Sequence, residues 1–191
     1  MYEYLINVSS ILRSDIDQHD FGDSLSKTQY TSKKWLIDSL ANQQYKRNPS
    51  VLVLGGWYGS YLVPMLNEFI QPSRIYFNDI NERYIEVAKR LHRQPNISFH
   101  HFDATFTYKH FNADIVINTS CEHMSEYTEM LKEGPQCLYV LQTCDNKNDP
   151  GHVNISSSTE EFLKKLDLSR VTFAARRNLG HKNRFMVIGQ K

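Results

Sequence analysis

Cysteine is scarce in this chain of 191 residues, and its spacing excludes two common structural roles. The three cysteines, Cys121, Cys137 and Cys144, are an odd number and include no C-x-x-C pair. A disulfide framework and a zinc knot are therefore not expected, and we predict three reduced thiols. The adjacent His100 and His101 would point to opposite faces of an extended segment, so they do not indicate a shared metal ion. No metal site is predicted.

Long hydrophobic runs and an excess of one charge sign are also missing. No segment approaches the roughly 18 consecutive apolar residues of a membrane span. The first residues show neither a basic n-region nor a small-residue cleavage site, so we expect a soluble, cytoplasmic protein without a membrane partner. The 22 lysines and arginines nearly balance 21 acidic residues, which gives a net charge of +1. Such a charge does not attract a polyanion, so extended nucleic-acid binding is not expected, whereas oligomerisation stays open.

The sequence does contain a repeated alternation of strand-like and helix-like segments. By hydrophobic periodicity and turn residues, the predicted elements are helix 31–44, strand 51–54, helix 61–69, strand 74–79, helix 80–91, strands 97–104 and 113–120, helix 125–134, strand 136–144, helix 158–168 and strands 170–177 and 184–191. This order predicts the α/β class, with a mainly parallel sheet that is covered by helices on both faces. The last two strands are separated by a short "NLGHKN" linker, so they should pair antiparallel.

The length of the chain predicts a single domain over residues 1–191. Residues 1–30 have a mixed, polar composition, and "DQHDFGDSLS" is typical of a loop. The first predicted helix therefore begins near Thr31 or Ser32, either of which can cap it.

A short glycine turn joins the first predicted strand to the next helix. Gly55, Gly56 and Gly59 lie in "VLVLGGWYGSYLVPML", but the G-x-G-x-x-G spacing of the dinucleotide fingerprint is absent. Glycines permit a sharp turn and let a ligand approach the N–H groups at a helix N-terminus. A tight corner without a ligand would use the same residues, so the turn alone leaves both interpretations open.

Asp79 gives a stronger indication of a nucleoside site. It ends the second strand, twenty residues beyond Gly59, where α/β nucleotide-binding proteins place a carboxylate that accepts both ribose hydroxyls. The alternative is that Asp79 only caps the following helix. Asp103 follows the third strand, where a local Asx-turn is the alternative to binding. Because parallel strands end at the same edge of a sheet, these residues and the glycine turn would meet in one crevice.

From Lys27 to Lys191 the chain resembles class I S-adenosylmethionine-dependent methyltransferases. The first motif of that family usually reads acidic-x-G-x-G-x-G, and "VLVLGGWYG" aligns Gly55 and Gly59 with its first and last glycines. Val53 stands in place of the acidic residue, and Trp57 in place of the middle glycine. The resemblance implies a Rossmann-like three-layer sandwich with a seven-stranded, mostly parallel sheet and an antiparallel C-terminal hairpin strand. It also implies S-adenosylmethionine as the cofactor.

The same resemblance implies which residues contact the cofactor. Asp79 would bind the ribose, Asp103 the adenine amino group, and residues 1–30 could serve as a lid. The implied cofactor-binding residues are Gln29, Tyr30, Gly55, Gly56, Trp57, Gly59, Asp79, Ile80, Asp103, Ala104 and Asn118.

Catalytic candidates follow the fourth and fifth strands. The stretch "NTSCEHMSEY" resembles the segment after the fourth strand of small-molecule methyltransferases, which implies that Glu122 and His123 face the sulfonium and the acceptor. His152 lies in a long polar loop, and histidine is the side chain most easily poised to take a proton near neutral pH. Helix capping and solvated surface positions are the alternatives for these residues. Cys121 has no base placed beside it by the sequence, so a nucleophilic role is not favoured.

The acceptor is less well defined by the sequence than the cofactor. The Asn/Asp-Pro-Pro-aromatic motif of nucleic-acid amino-methyltransferases is absent, which counts against methylation of adenine or cytosine in DNA but leaves RNA and nucleotide acceptors open. The resemblance after the fourth strand implies a small-molecule acceptor. The one local charge excess, around the last hairpin, could receive an anionic acceptor or simply be solvated; it comprises Arg176, Arg177, His181, Lys182 and Arg184. We therefore predict a methyltransferase. The alternatives are aminocarboxypropyl transfer or non-catalytic binding of the same cofactor, an NAD-dependent oxidoreductase, and an interaction module.

Overall fold

The computed structural model describes residues 2–191, except for the side chains of Tyr2, Phe106, Thr107, Lys109 and Met130. The strands are β1 (Ser50–Leu54), β2 (Arg74–Asp79), β3 (Ile97–His101), β4 (Ile115–Asn118), β5 (Leu138–Cys144), β6 (Arg170–Asn178) and β7 (Asn183–Gln190). The helices are α1 (Tyr2–Leu12), α2 (Gln18–Ser24), α3 (Lys27–Ala41), α4 (Leu62–Met65), α5 (Glu82–Leu91), α6 (Ala104–Thr107), α7 (Tyr127–Glu133) and α8 (Thr159–Lys164).

The seven strands form one sheet in the order β3-β2-β1-β4-β5-β7-β6. The pairs from β3 to β5 are parallel, and β1 lies between β2 and β4, with Val51 opposite Ile75 on one side and Ile115 on the other. Strand β7 runs antiparallel to both β5 and β6, because the hairpin linker is too short for a crossover. The predicted α/β class, seven-stranded sheet and antiparallel hairpin strand are confirmed.

Helices cover both faces of the sheet, as the apolar strands require. Alternate residues of β1 point to opposite faces, so Val51 and Val53 join one buried cluster and Leu52 and Leu54 the other. The first cluster is completed by α3, α4 and α5, and the second by α7 and α8. This three-layer arrangement leaves the carboxyl edge of the parallel strands free for a binding site.

The N-terminal segment differs from its predicted loop. Helix α2 begins after Asp17, whose side chain accepts a hydrogen bond from the Asp20 N–H at 3.0 Å, and it buries Phe21 completely. Helix α3 begins one turn earlier than predicted, capped by Ser26, whose hydroxyl accepts from the Gln29 N–H at 3.3 Å. These helices were not predicted because the segment is polar. A helix needs only a few apolar residues when these pack against a distant part of the chain.

The other predicted helices are present with modest changes in their bounds. Helix α4 has Pro64 in its first turn and continues as a π-helical turn over Leu66–Ile70, which ends at Gln71 in the left-handed region at φ 54°. The short helix α6 was not predicted and follows β3 directly. The longest described helix, α3, has 15 residues, and no helix within residues 2–191 is long and apolar enough to cross a membrane.

Candidate active site

A cavity of about 960 Å³ lies at the carboxyl edge of the sheet. Its walls are α2, the turns after β1, β2, β3 and β4, the N-terminal part of α3, the loop after β5, and the hairpin before β7. Twelve of the fourteen residues predicted for the site line it: Gln29, Gly55, Gly56, Trp57, Gly59, Asp79, Ile80, Asp103, Ala104, Glu122, His123 and His152. The remaining two, Tyr30 and Asn118, lie outside the lining.

The turn after β1 requires backbone conformations that residues with a side chain rarely adopt. Gly55 and Gly59 have φ values of +57° and +65°, in the left-handed region. Gly56 allows a close approach instead, since a Cβ there would lie 2.4 Å from the ring of Phe77. The turn therefore packs directly against the ring of Phe77 in β2. Any side chain at Gly56 would have to displace either the turn or this ring.

Trp57 also occupies the left-handed region, with φ +53°, at the position where the related motif has a glycine. A non-glycine residue there costs on the order of 1–3 kcal/mol. Three contacts offset this cost. The Trp57 N–H donates to Asp79 Oδ2 at 2.8 Å, the indole Nε1–H donates to Asp20 Oδ2 at 3.2 Å, and the ring packs against Tyr58 and Tyr84. Trp57 therefore keeps the same shape of the turn, although it replaces the glycine of the motif.

Asp79 joins two of the turns that line the cavity. One carboxylate oxygen accepts from the Trp57 N–H, and the other accepts from the Asn81 N–H at 2.9 Å. The N-cap of helix α5 is Asn81 and not Asp79, so the structure does not support the alternative in which Asp79 caps that helix. Burial raises the pKa of the Asp79 carboxyl, although backbone N–H donors partly oppose this. Each oxygen retains a lone pair for a further donor.

The turn after β3 forms the adjacent corner of the cavity. Asp103 caps α6. Its side chain accepts hydrogen bonds from the Thr105 N–H at 2.9 Å and from the Thr105 hydroxyl at 2.6 Å, so Asp103 has the local role that was the alternative to binding. Asn78 fixes this turn from β2 by donating to the carbonyl of Phe102 at 2.9 Å. Ile80 is 64% exposed and offers an apolar surface beside Asp103 in the same lining. The corner thus combines a carboxylate with an apolar surface.

Residues of the N-terminal segment are packed against the cavity and form another of its walls. Asp20 and Ser26 line the cavity, and Asp20 Oδ2 also accepts from the Tyr58 hydroxyl at 2.7 Å. The predicted lid residue Tyr30 does not reach the cavity, because it lies on the outer side of α3, 45% exposed and packed edge-on against Tyr61.

The turn after β4 is organised by Asn118. This residue is fully buried, and its Oδ1 accepts from the Ser120 N–H at 2.9 Å while its amide contacts the sulfur of Met124. The predicted contact of Asn118 with a cofactor therefore has no support from its position. Ser120 does line the cavity, and its hydroxyl donates to the Gly55 carbonyl at 3.2 Å, which joins this turn to the first one.

Glu122 forms a buried ion pair with Arg184 of β7. Arg184 Nη1 lies 2.5 Å from Glu122 Oε1, and Nη2 donates to the Thr119 carbonyl. Burial raises the pKa of the Glu122 carboxyl, but the Arg184 guanidinium, a backbone hydrogen bond and His123 together hold the pKa below its ordinary value. Burial likewise disfavours the charged guanidinium, yet Glu122 raises the net pKa of Arg184. Both side chains are therefore charged, and Glu122 is committed to its partner.

Lys33 is a cavity residue that the sequence analysis missed. Its Nζ donates to Thr119 Oγ1 at 3.0 Å. Burial lowers the pKa of Lys33 to about 7, and the nearby cations Arg184 and Lys182 add to the effect while Glu122 opposes it. The sequence did not indicate this, because the predicted helix began near Thr31; only the earlier start of α3 at Lys27 places Gln29 and Lys33 four residues apart on one helical face.

Two histidines form the side of the cavity next to the loop after β5. The ring centroids of His123 and His152 are 4.5 Å apart, His123 Nδ1 lies 3.1 Å from the Gly151 carbonyl, and His152 Nδ1 lies 2.7 Å from the Asn146 carbonyl. Backbone hydrogen bonds from the loop to the Glu122 carbonyl hold it against the β4 turn. The loop thereby brings the two predicted histidines together.

Two cysteines near this region do not provide a nucleophile. Burial raises the pKa of the Cys121 thiol well above its ordinary value, and the side chain is fully enclosed. Cys144 lies with Glu122 and His152 in a group whose donor atoms are within 4.8 Å of one another. Because Arg184 already occupies one oxygen of Glu122 and adds a positive charge, we assign no metal chemistry to this group.

The strand order, the antiparallel β7 and the site at the carboxyl edge define the fold of class I S-adenosylmethionine-dependent methyltransferases. A methyltransferase of this kind from Aquifex aeolicus is similar, with a TM-score of 0.66, 14% identity, and 92% of this chain and 98% of that chain covered. A mutant of MtNAS in complex with S-adenosylmethionine has a TM-score of 0.65 and 10% identity, over 100% of this chain and 73% of that one.

A third similar structure is a complex from Haloferax volcanii between a methyltransferase and its activator Trm112, with a TM-score of 0.62 and 12% identity, over 90% of this chain and 96% of that one. No protein-family model and no curated protein sequence matches the chain. At these identities the likeness establishes the fold, and the function has to be argued from the site.

Proposed function

We propose that this protein is an S-adenosylmethionine-dependent methyltransferase with a small-molecule acceptor. The observation that carries the proposal is the cavity of about 960 Å³ along the carboxyl edge, with the Asp79 carboxylate in its wall. Small-molecule and cofactor sites typically enclose about 300–1,000 Å³, so a cavity of this size has room for a nucleoside cofactor with a small acceptor beside it. The β1 turn supports this use, because it exposes glycine backbone to the same space.

The proposed cofactor contacts follow the geometry of the turns. Asp79 would accept the two ribose hydroxyls, and the corner formed by Ile80 and Asp103 would hold the adenine. The methionine part would lie along the glycine turn toward α2. Val53 provides no carboxylate for the methionine ammonium, so we assign that role to Asp20 and Asp23, which line the cavity from α2.

The chemistry requires an in-line displacement at the methyl carbon. The acceptor's nucleophilic atom forms a bond to this carbon while the carbon–sulfur bond breaks, and the electron pair stays on sulfur as the thioether of S-adenosylhomocysteine. Holding the two molecules at near-attack distance contributes roughly 7–11 kcal/mol in favourable cases. An oxygen or nitrogen acceptor also loses a proton. His123 is better placed to receive it than Glu122, which would have to break its ion pair, and than His152, whose two ring nitrogens face the Asn146 carbonyl and Asp149.

Calorimetric titration with S-adenosylmethionine, S-adenosylhomocysteine and NAD tests the cofactor. We expect roughly micromolar binding of the first two and no binding of NAD. Binding of NAD alone would contradict the proposal and favour the oxidoreductase alternative.

Turnover separates the remaining alternatives that use the same cofactor. Incubation with candidate acceptors should release S-adenosylhomocysteine and yield an acceptor heavier by one methyl group. Release of methylthioadenosine would instead show that the aminocarboxypropyl group had moved. Binding without either product across acceptors that contain oxygen, nitrogen and sulfur nucleophiles would favour non-catalytic binding.

A further inference from the structure

Three cationic side chains meet at the end of the cavity that is formed by α3, the β4 turn and β7. Lys33 comes from α3, and Lys182 and Arg184 come from the hairpin and the start of β7. Lys33 is 149 and 151 positions from the other two in sequence, so only the fold brings it to them. By contrast, Arg177 of the same sequence cluster lies outside this lining, with its guanidinium over the ring of Trp35.

One carboxylate does not neutralise these three charges. Glu122 pairs with Arg184, and within residues 2–191 as described, neither Lys33 nor Lys182 lies within ion-pair distance of a carboxylate. Asp149 also borders the cavity, but its carboxylate lies 3.4 Å from His152. Neither lysine therefore has a paired carboxylate in this partly enclosed space, and without an anion the charged form of the buried Lys33 amine is disfavoured.

We propose that this end of the cavity binds an anionic group of the acceptor, a carboxylate or a phosphate, through direct contacts with Lys33 and Lys182. Arg184, fixed by Glu122, adds a constant positive potential behind them. The inference rests on the proposed function, because it places the anion next to the position of the transferred methyl group. An anionic group anchored there would orient the acceptor's nucleophilic atom toward the cofactor.

Proton uptake provides a signature of this site. Since the pKa of Lys33 is about 7, its amine is mostly neutral at slightly alkaline pH in the free protein. The groups that face Lys33 from neighbouring elements are Glu122 and Thr119 of the β4 turn, Lys182 of the hairpin and Arg184 of β7. Glu122 stays ionised and Arg184 protonated in this range. A bound anion raises the pKa of Lys33, so binding takes up a proton.

Isothermal titration calorimetry can detect this uptake. Inorganic phosphate and succinate are titrated separately into free and S-adenosylhomocysteine-saturated protein near pH 8, in two buffers with different ionisation enthalpies. We expect at least one anion to bind and to take up a large fraction of one proton. Phosphate binding alone identifies a phosphorylated acceptor, and succinate binding alone identifies a carboxylate.

A matched pair of variants on α3 tests the assignment. Lys33→Met should weaken anion binding about tenfold or more and abolish proton uptake. Lys34→Met, which removes the neighbouring charge paired with Asp38, should change neither. If Lys33→Met does not fold, as judged by circular dichroism, Lys182→Met is measured in its place and should weaken binding by a similar factor.

The outcomes separate this inference from the proposed function. Binding of S-adenosylhomocysteine without binding of either anion overturns the anionic-acceptor inference alone. Equal anion affinity in wild type and Lys33→Met overturns it as well. Failure to bind S-adenosylhomocysteine in any condition contradicts the proposed function on which it rests.

Discussion

Replacing Asp79 with asparagine is the perturbation that most specifically tests the cofactor site. In the folded protein each Asp79 oxygen accepts one backbone N–H and retains a lone pair for a ribose hydroxyl. Hydrogen bonds to a charged group contribute about 1.5–3 kcal/mol each, so the two ribose contacts together amount to about 3–6 kcal/mol. Asparagine keeps one acceptor oxygen, so at least one of the two contacts, about 1.5–3 kcal/mol, is lost, and Asp79→Asn should bind S-adenosylhomocysteine roughly 10-fold to 10²-fold more weakly.

The assay is calorimetric titration at matched protein concentration, with the folded fraction checked by circular dichroism. This check is needed because the asparagine side chain can satisfy only one of the two backbone N–H donors, and an unpaired donor costs about 1–3 kcal/mol. Asp38→Asn is the control, since it removes the same charge from the exposed face of α3. If folded Asp79→Asn bound within about threefold of wild type, the assignment of the ribose to Asp79 would be refuted.

Three further predictions concern the scaffold of the site. Gly56→Ala should lower the free energy of unfolding by about 1–3 kcal/mol or more, because its Cβ would overlap the ring beneath the turn, whereas Gly22→Ala has open space and should not destabilise; urea unfolding of both variants checks this. Glu122→Gln leaves Arg184 buried without its partner and should cost about 3–5 kcal/mol in the same assay, and an unchanged midpoint would contradict the ion pair. Burial lowers the pKa of His92 to about 4. The unfolded chain therefore takes up a proton first, so stability should fall by about 3 kcal/mol between about pH 6.5 and pH 4, and His92→Gln should remove this component of the pH profile.

The sheet was predictable because its strands are apolar and lie between clear turn residues. The predicted strand at 74–79 matches β2 residue for residue, and the six residues between the last two predicted strands, four in the structure, are too few for a crossover and required an antiparallel pair. The N-terminal helices were not predictable in the same way. Their stability depends on contacts such as the hydrogen bond from Asn7 to the Leu91 carbonyl, which join residues far apart in sequence.

The cavity residues also divide into those that local spacing could predict and those that depend on contacts between distant parts of the chain. The place of Asp79 in the cavity wall could be predicted because its distance from the glycine turn is fixed by one β-α-β unit; its contact with a ribose stays a prediction. Lys33 and Arg184 could not be paired from the sequence, because α3 and β7 contact the same turn only after the sheet is complete. Asn118 has a residue type suited to binding, but its place at the end of the central β4 strand makes it a buried support for the turn.

A crystal structure of the protein with S-adenosylhomocysteine would locate the bound nucleoside. We predict the ribose hydroxyls within hydrogen-bonding distance of Asp79, the adenine against Ile80 and Asp103, and the thioether sulfur directed toward the end of the cavity that holds Lys33. A nucleoside bound elsewhere, with the carboxyl edge of the sheet empty, would contradict this prediction.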